Sequence, residues 1–465
     1  MNDRITRWGV LLSSALAIFM VNIDVSIVNV ILPSLVKTFD TSISEISLIT
    51  LAYLLSLTAF LLLSGKLSDM FGPEPLLTAG YGIFIIGSFF CGFSQSLYEI
   101  VLFRFIQGIG ASMLFSTSAV IIIRYIPEDW RGRAYGINGL FAVIGFAIGS
   151  PIGGFIQETL GWSWIFFVNI PIGIIGILIS RAILTKPYPR VQGASIDWVG
   201  VLLSIIMLSS LTYTLHMLSS PEDSRIFFIS CLITIISPVL FLIRERQVKH
   251  PLLDFSVFRD RILNLALLAF FFYMIILAGT SFLFPFFFIN IQGMSVSTAG
   301  LFLAIPPVVS ICLVYVSGWL SDKTNPRVPC IIGMIFCFFA SLSFLGFNAS
   351  TTYIYIIGSF LLFGIGIALF VPASLAFIMN RAKIANAGTI SAIKTLVSQI
   401  GGILGISIFA LILSFGTSGQ DMNDLTQIST FSANFNLAMT AVCICAILGL
   451  FTCIIAKEKQ ITTRS

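Results

Sequence analysis

Two charged residues stand deep inside apolar stretches of the chain. Asp24 lies in the run from Trp8 to Ile31, and Arg104 in the run from Leu97 to Ile123. An ionisable side chain at membrane depth is expensive and, by default, functional. At 1.5 Å per helical residue, Asp24 is about 24 Å from Trp8 and Arg104 about 10 Å from Leu97. If the two runs cross in opposite directions, both residues fall in the same half of a roughly 30 Å hydrocarbon core and can pair. Arg stays charged and keeps a neighbouring carboxylate ionised until something displaces it. The chemistry on offer is proton coupling or recognition of a substrate charge at Asp24, with Arg104 as partner. The alternative is a purely structural ion pair. Gln107 lies one turn from Arg104 on the same face and can orient it or support it. Lys394, about 10 Å into a later run, either snorkels to the nearer surface or faces an internal cavity. In a cavity it would favour anionic or neutral ligands. No buried acid is evident in the second half of the chain, which argues against a strictly cationic ligand.

Other chemistries find little support. The chain has eight Cys and two His (His216, His250), without metal-ligand spacing. The cysteines read as small buried apolar residues. There is no Gly-x-x-x-x-Gly-Lys-Ser/Thr loop and no stretch large enough for a nucleotide domain, which disfavours an ATP-driven pump. A membrane enzyme would need nucleophile, base or metal clusters that the sequence does not supply. No cofactor and no metal are expected.

The elements that position these residues must be membrane helices. The 465 residues are 57% hydrophobic and only 10% charged, against about 25% charged in a soluble domain. Runs of about twenty apolar residues recur from end to end, and in lipid the backbone must bond to itself. Fourteen spans are predicted: Trp8 to Ile31, Ile43 to Leu63, Leu76 to Phe93, Leu97 to Ile123, Ala134 to Ile156, Trp162 to Leu184, Trp198 to Leu218, Ile226 to Ile243, Leu263 to Phe288, Ala299 to Leu320, Val328 to Phe347, Tyr353 to Met379, Gly388 to Phe415 and Phe435 to Ile455. With these spans, 21 of the 25 Lys and Arg fall on the side of the amino terminus, counting Arg181 in the last turn of its span. Lys37 and Arg225 fall opposite, and Arg104 and Lys394 lie within spans. This is a positive-inside pattern, with both termini expected in the cytoplasm. The net charge of +5 is thereby a topology signal rather than a nucleic-acid signal. Most of the Phe around span 9 (Phe270, Phe271, Phe272, Phe284, Phe286, Phe287, Phe288) are expected to face lipid, with a minority lining an apolar pocket.

The chain also repeats itself. Gly65-Lys66-Leu67-Ser68-Asp69 matches Gly318-Trp319-Leu320-Ser321-Asp322 at an offset of 253, and Gly108-Ile109-Gly110 matches Gly364-Ile365-Gly366 at 256. Gly136 and Gly149 match Gly388 and Gly401 at 252. A near-constant offset marks an internal duplication. It predicts an all-α integral membrane fold: a six-helix half at 1–190, two inserted helices with linkers at 191–250, and a second six-helix half at 251–465. Two parallel halves with a midplane site between them is the arrangement of rocking secondary transporters.

At this point the residues resemble the major facilitator superfamily, specifically its fourteen-helix drug/proton antiporter branch, over nearly the whole chain. Asp24-Val25-Ser26-Ile27-Val28-Asn29-Val30-Ile31-Leu32-Pro33 looks like the branch's helix 1 signature. Gly65 to Gly72 is similar to the loop 2–3 motif, and Arg104-x-x-Gln107-Gly108-x-Gly110-Ala111 to the helix 4 motif. Gly145-x-x-x-Gly149-Ser150-Pro151-Ile152-Gly153-Gly154 resembles the helix 5 antiporter motif. Trp162 to Pro171 and Asp197-Trp198-Val199-Gly200 look like branch markers. The sequence departs from the family pattern at Met70, Pro73 and Glu74, where basic residues are usual, at Ser150, which separates Gly149 from Pro151, and at Ser398, where Arg is usual.

The resemblance implies efflux of multiple drugs or small amphipathic molecules by proton antiport, with alternating access between the halves. Asp24, Arg104, Gln107 and Asn29 would form the coupling or substrate site. Gly65, Asp69, Gly72, Gly318 and Asp322 would form a conformational gate that holds the outward-open state. Gly145, Gly149, Pro151, Gly153 and Gly154 would form the antiport interface, with Lys394 as a cavity charge. The alternatives are a transporter of one specific metabolite and, in a different class, an integral membrane enzyme. The expected setting is a bacterial cytoplasmic membrane. The expected partners are small amphipathic substrates, protons and the lipid bilayer, with no nucleic acid. A monomer is expected, and any tunnel across a second membrane would come from accessory export subunits.

Overall fold

A computed structural model describes residues 3–184, 197–219, 224–248, 255–381, 387–415 and 425–456. The side chains of His216 and Asp322, the linkers around 185–196 and 249–254, and His250 lie outside the described residues. Fourteen helices are long and apolar enough to cross a membrane, and the described residues contain no strand. In order they are α1 (Asp3–Phe39), α2 (Ile43–Phe71), α3 (Pro73–Phe93), α4 (Leu97–Tyr125), α5 (Glu128–Thr159) and α6 (Ser163–Ile183, broken at Val168). Next come α7 (Trp198–Ser219) and α8 (Ser224–Gln247). The last six are α9 (Arg261–Phe286, continued by a π turn at Phe287–Ile291), α10 (Val296–Lys323), α11 (Arg327–Phe344), α12 (Tyr353–Met379), α13 (Ala387–Ser414) and α14 (Leu425–Ile455).

Several helices run past their predicted spans, α1 and α14 by the most. Hydropathy sees only the apolar middle, whereas the helices end where a cap or a glycine stops them. Ser42 accepts from the Glu45 N–H at 3.1 Å while the Glu45 carboxylate accepts from the Ser42 N–H at 2.9 Å, a reciprocal capping box for α2. Asp260 accepts from the N–H groups of Ile262 (2.9 Å) and Leu263 (3.3 Å) to start α9. Gly72 ends α2 at φ 96°, a left-handed value that a side chain would strain.

Lipid tails are as apolar as leucine, so helices associate through close backbone approach at small residues. A Cβ on Gly110 would lie 2.6 Å from the Phe84 nitrogen and 2.8 Å from the Gly80 oxygen, locking α3 to α4. Gly366 repeats this on α12, where a Cβ would lie 3.0 Å from the Gly333 oxygen of α11. Gly145 and Gly149 meet the carbonyls of Phe19 and Ile23 on α1, and Gly401 and Gly405 meet those of Phe271 and Ile275 on α9. These paired contacts fix the register of the duplication. Gly145 corresponds to Gly401 and Gly149 to Gly405, an offset of 256 on this helix pair. Matching Gly149 to Gly401 from sequence was one helical turn out, because evenly spaced glycines align equally well in either register.

Helix α1 packs on α4, α5 and α6, α2 on α4, and α3 on α4 and α6; α9 packs on α13 and α14, α10 on α12, and α11 on α12 and α14. The two sets of six meet through α5 with α10, α2 with α13, and α1 with α9. The inserted α7–α8 hairpin docks by α7 between α2 and α13, with Leu208 buried against Leu55 and Ala59. Arg244 at the end of α8 binds Asp197 ahead of α7 at 3.0 Å. Burial raises the pKa of Asp197, but the Arg244 hydrogen bonds and the N–H groups of Gly200 and Val199 outweigh it and hold the carboxyl below its usual range. The tie is therefore intact near neutrality and is lost as pH falls through that lowered value.

The aromatic residues of α9 do not mostly face lipid. Phe270, Phe284, Phe286, Phe287 and Phe288 are buried, and Phe271 and Phe272 are partly so. Phe284 packs on Phe344, Phe347, Phe360 and Phe435 at ring-centroid distances of 4.7–6.3 Å. Helix α9 is central in its half, a position that a single hydropathy trace cannot separate from a peripheral one.

The glycine contacts make a direct prediction. Gly110→Val overpacks α3 against α4 and should cost about 1–3 kcal/mol, read as a lower apparent Tm of the purified protein in detergent. Gly136→Ala, where a Cβ would meet nothing within 4 Å, should leave Tm unchanged. Equal melting of the two variants would refute this packing.

Candidate functional site

The structure brings Asp24, Arg104 and Gln107 together, each with no solvent exposure. The Arg104 guanidinium donates through Nη1 to Asp24 Oδ2 and to Gln107 Oε1 (2.7 Å), and through Nε to the Ile49 carbonyl of α2 (3.3 Å). Gln107 Nε2 donates to Asp24 Oδ1 and to Ser88 Oγ of α3, both at 2.8 Å. Asn169 Nδ2 of α6 donates to the same Asp24 oxygen at 2.8 Å. The guanidinium carbon stands 4.2 Å from the Tyr53 ring centroid. A buried pair is tolerated only when further hydrogen bonds satisfy its remaining lone pairs and protons. Here Asp24 is fully supplied, whereas Arg104 Nη2 and the Tyr53 hydroxyl have no protein partner.

Sequence reasoning missed Asn169, Ser88 and Tyr53. Asn169 had a usable signal: an amide in an apolar run, just after the break in α6 at Val168 that starts a new helical segment there. Ser88 and Tyr53 carry no charge and stand out from no pattern.

The Asp24 carboxylate has no solvent exposure in this conformation, and its partners come from two helices, Arg104 and Gln107 of α4 and Asn169 of α6. Asn29 stands apart from the network. Its Nδ2 donates to Ser281 of α9 at 3.3 Å, across the two halves, and its Oδ1 accepts from Thr50 of α2 at 3.2 Å. Thr50 follows Ile49, whose carbonyl Arg104 holds. The buried ion pair is thus joined to the interface between halves by one step along α2.

Define the terminal face as the one where α1 begins and α14 ends. The contacts between α5 and α10 close the opposite face. Here a Cβ on Gly154 would lie 2.5 Å from the Val296 oxygen, and one on Gly300 would lie 2.3 Å from the Ser150 oxygen. Glu158 accepts from the Ser297 N–H (3.0 Å) and hydroxyl (2.5 Å) across the same seam. Toward the terminal face, Gly136 and Gly139 of α5 and Gly318 of α10 meet nothing within 4 Å, and Tyr315 is 80% exposed. Close backbone contact holds the helix pair at one end, and the glycines named at the other end stand in open surroundings.

This arrangement divides the antiporter motif. Gly145, Gly149 and Gly153 pack on α1 within their own half, while Gly154 and the backbone of Ser150 and Pro151 meet the other half. Only the latter form the interface expected of the whole motif. The four-residue glycine spacing marks a helix-packing face but does not say which helix it packs on. Ser150 has its own role: its hydroxyl meets that of Ser26 on α1 at 2.9 Å.

The gate residues are also divided. Gly65 and Gly318 sit in open surroundings, and Gly72 makes the left-handed turn. Asp69 is exposed, and the charge that acts on it is Lys66 of its own helix. A bridge to a neighbouring helix is made by Glu74, whose carboxylate binds Arg124 (2.8 Å) and the Tyr125 hydroxyl (2.8 Å) at the end of α4. The acid that broke the expected basic pattern therefore supplies the link between loop 2–3 and α4.

The sequence profile of the Major Facilitator Superfamily matches residues 14–406. The chain belongs to the major facilitator superfamily. Its fourteen spans fit the superfamily's fourteen-helix branch. Among relatives, it is 31% identical to the riboflavin transporter RibZ of Clostridioides difficile over 78% of this chain and 79% of that protein. It is 27% identical to multidrug resistance protein 3 of Bacillus subtilis over 87% and 79% of the two chains. Among solved structures, a bacterial homologue of the human lysosomal transporter Spinster, described as inward-facing and unoccupied, superposes with a TM-score of 0.71 at 18% identity over 97% of both chains. The Escherichia coli xylose transporter XylE, described as inward open, gives 0.64 at 14% identity over 98% of this chain and 97% of that one. The fold is therefore that of the superfamily, and the chain is a membrane transporter.

Against that fold, Lys394 lies on α13 with its Nζ 4.6 Å from the Phe270 ring centroid. Phe270 is about 13 Å into α9, so the ammonium reaches inward and does not snorkel to the terminal face. Among the described residues it has no carboxylate partner.

Removing one member of a buried ion pair strands the other and costs about 3–5 kcal/mol. Asp24→Ala and Arg104→Ala should each lower Tm in detergent. Asp24→Asn with Arg104→Gln should lower it by less than the sum of its single changes. Strict additivity would show that the two side chains are not coupled.

Proposed function

We propose that the chain exports small amphipathic molecules by proton antiport, and that its two halves alternate access to a site between them. The observation that carries this reading is the Asp24–Arg104–Gln107–Asn169 cluster: one carboxylate, sealed in the half that carries it and wired through Ile49, Thr50 and Asn29 to the other half. The terminal face is cytoplasmic, in keeping with the excess of Lys and Arg on that side, and the membrane is the bacterial cytoplasmic membrane. On this reading the open surroundings of Gly136, Gly139 and Gly318 belong to the cytoplasmic end of a cleft between the halves.

The coupling step is an exchange of partners at Asp24. While ionised, the carboxylate fixes Arg104, which holds the Ile49 carbonyl and covers the Tyr53 ring. A proton on Asp24 cancels the charge that binds Arg104 and frees the guanidinium to follow α2, which packs on α13. Loss of that proton to the cytoplasm restores the pair. Access of Asp24 to protons then belongs to one conformation and the release of substrate to the other, which is the requirement for antiport. On this reading Asp69 engages when the cytoplasmic ends come together, as the gate role requires.

A relative described as a multidrug resistance protein supports broad substrate range. A second reading, transport of one specific metabolite, is favoured by the likeness to a riboflavin transporter. Proteoliposomes with an imposed pH gradient separate the two. On the first reading fluorescein, rhodamine 123 and riboflavin do not all behave alike, but more than one accumulates. On the second, riboflavin alone does. Accumulation should vanish when nigericin collapses the gradient. Asp24→Asn should reduce gradient-driven accumulation at least tenfold while downhill exchange continues. Accumulation indifferent to nigericin, or intact in Asp24→Asn, would refute proton coupling at this residue.

A further inference from the structure

The duplication places Lys394 where the first half has Asn138, since α5 and α13 correspond at an offset of 256. Asn138 is fully provided for. It accepts from Ser14 of α1 at 2.8 Å and donates to Ser118 of α4 at 3.0 Å. The positions equivalent to those serines are Ala266 on α9, where α1 and α9 correspond at 252, and Ser374 on α12. Ala266 offers no polar atom, and the Ser374 hydroxyl donates to the Val371 carbonyl of its own helix at 2.8 Å. The second half has thus gained a cation and lost the groups that would satisfy a polar side chain there.

Its surroundings sharpen the imbalance. Within α9–α14 the sole Asp or Glu is Asp322, in the last turns of α10. The other membrane-depth charges, Asp24 and Arg104, cancel each other. Lys394 is therefore an uncompensated ammonium in a low-dielectric region, which is costly unless a counter-ion joins it. It is partly exposed, so a ligand can reach it. The Phe270 ring beneath it is held by Phe370 and Tyr273, with ring centroids 6.4 and 6.2 Å away.

We infer that Lys394, its ammonium held over the buried Phe270 ring, forms an anion-binding subsite for amphipathic weak acids, the ligand's carboxylate pairing with Nζ. This rests on the two-half carrier read above and names the substrate class it selects. The ligand replaces the missing partner of Lys394 and so binds most tightly where the protein alone is electrostatically incomplete.

The test is equilibrium binding to the purified full chain in detergent, read by fluorescence polarisation. It uses fluorescein, an anion, and rhodamine 123, a cation on a similar ring system. The wild type should bind fluorescein at least tenfold more tightly than rhodamine 123. Lys394→Arg should stay within about threefold of wild type. Lys394→Asn combined with Ala266→Ser rebuilds the satisfied amide of the first half, so it should fold, and it should bind the two dyes alike. Fluorescein binding that is absent in wild type, no stronger than that of rhodamine 123, or unchanged in the double variant would overturn the proposal. Lys394-dependent binding without pH-driven transport in proteoliposomes would sustain the subsite and remove only the antiport reading.

Discussion

The cost of a charge in hydrocarbon governs this molecule. It drives nearly every Lys and Arg to a membrane face and leaves three ionisable groups at depth, Asp24, Arg104 and Lys394. Two of them are spent on each other. The Asp24–Arg104 pair survives burial because Gln107, Asn169 and the Ile49 carbonyl take up most of the remaining hydrogen-bonding capacity. These partners come from α1, α2, α4 and α6, with Ser88 adding α3. A polar cluster of this kind fixes the mutual rotation of five helices, which apolar packing between lipid-like surfaces does weakly. The first half is organised around that cluster.

The second half solves the same geometry with different chemistry. Its helices keep the backbone contacts of the first at Gly333 and Gly366 of α11–α12 and at Gly401 and Gly405 of α13, while Phe409 on Gly279 stands where the first half has Gly153 on Ile27. The positions equivalent to Asp24, Arg104 and Gln107 are Ile276, Phe360 and Phe363. Phe360 sits in a cluster with Phe284, Phe288, Phe344 and Phe347. Stacked and edge-to-face rings give the half a rigid, apolar centre. Duplication has therefore preserved the close backbone approaches and allowed the side-chain fill to diverge, polar and titratable on one side, aromatic on the other.

What could be read from the chain follows from these physics. Span number and the Asp24–Arg104 pairing were legible because hydropathy and charge in lipid carry large energies and leave few alternatives. The division of the glycine motif was not legible: Gly153 and Gly154 are neighbours in sequence, yet one meets Ile27 of its own half and the other Val296 of the opposite half. A rotation of 100° about the helix decides between them, and spacing does not report it. Glu74 was legible only as a departure from a pattern, since its partners Arg124 and Tyr125 lie fifty residues away. The neutral members of the buried cluster were hidden for a simpler reason. A Ser or Asn in a membrane helix is common, and only the carboxylate it points at makes it informative.

One contact ties the halves together in a way that symmetry explains. Asn29 and Ser281 are equivalent positions, because α1 and α9 correspond at an offset of 252. Two equivalent residues can touch only on or beside the pseudo-two-fold axis that relates the halves. Asn29 lies about 32 Å along α1 from Trp8, so the Asn29–Ser281 bond sits toward the same closed face as the α5–α10 seam. The same Asn29 receives Thr50 from the helix that Arg104 holds at Ile49.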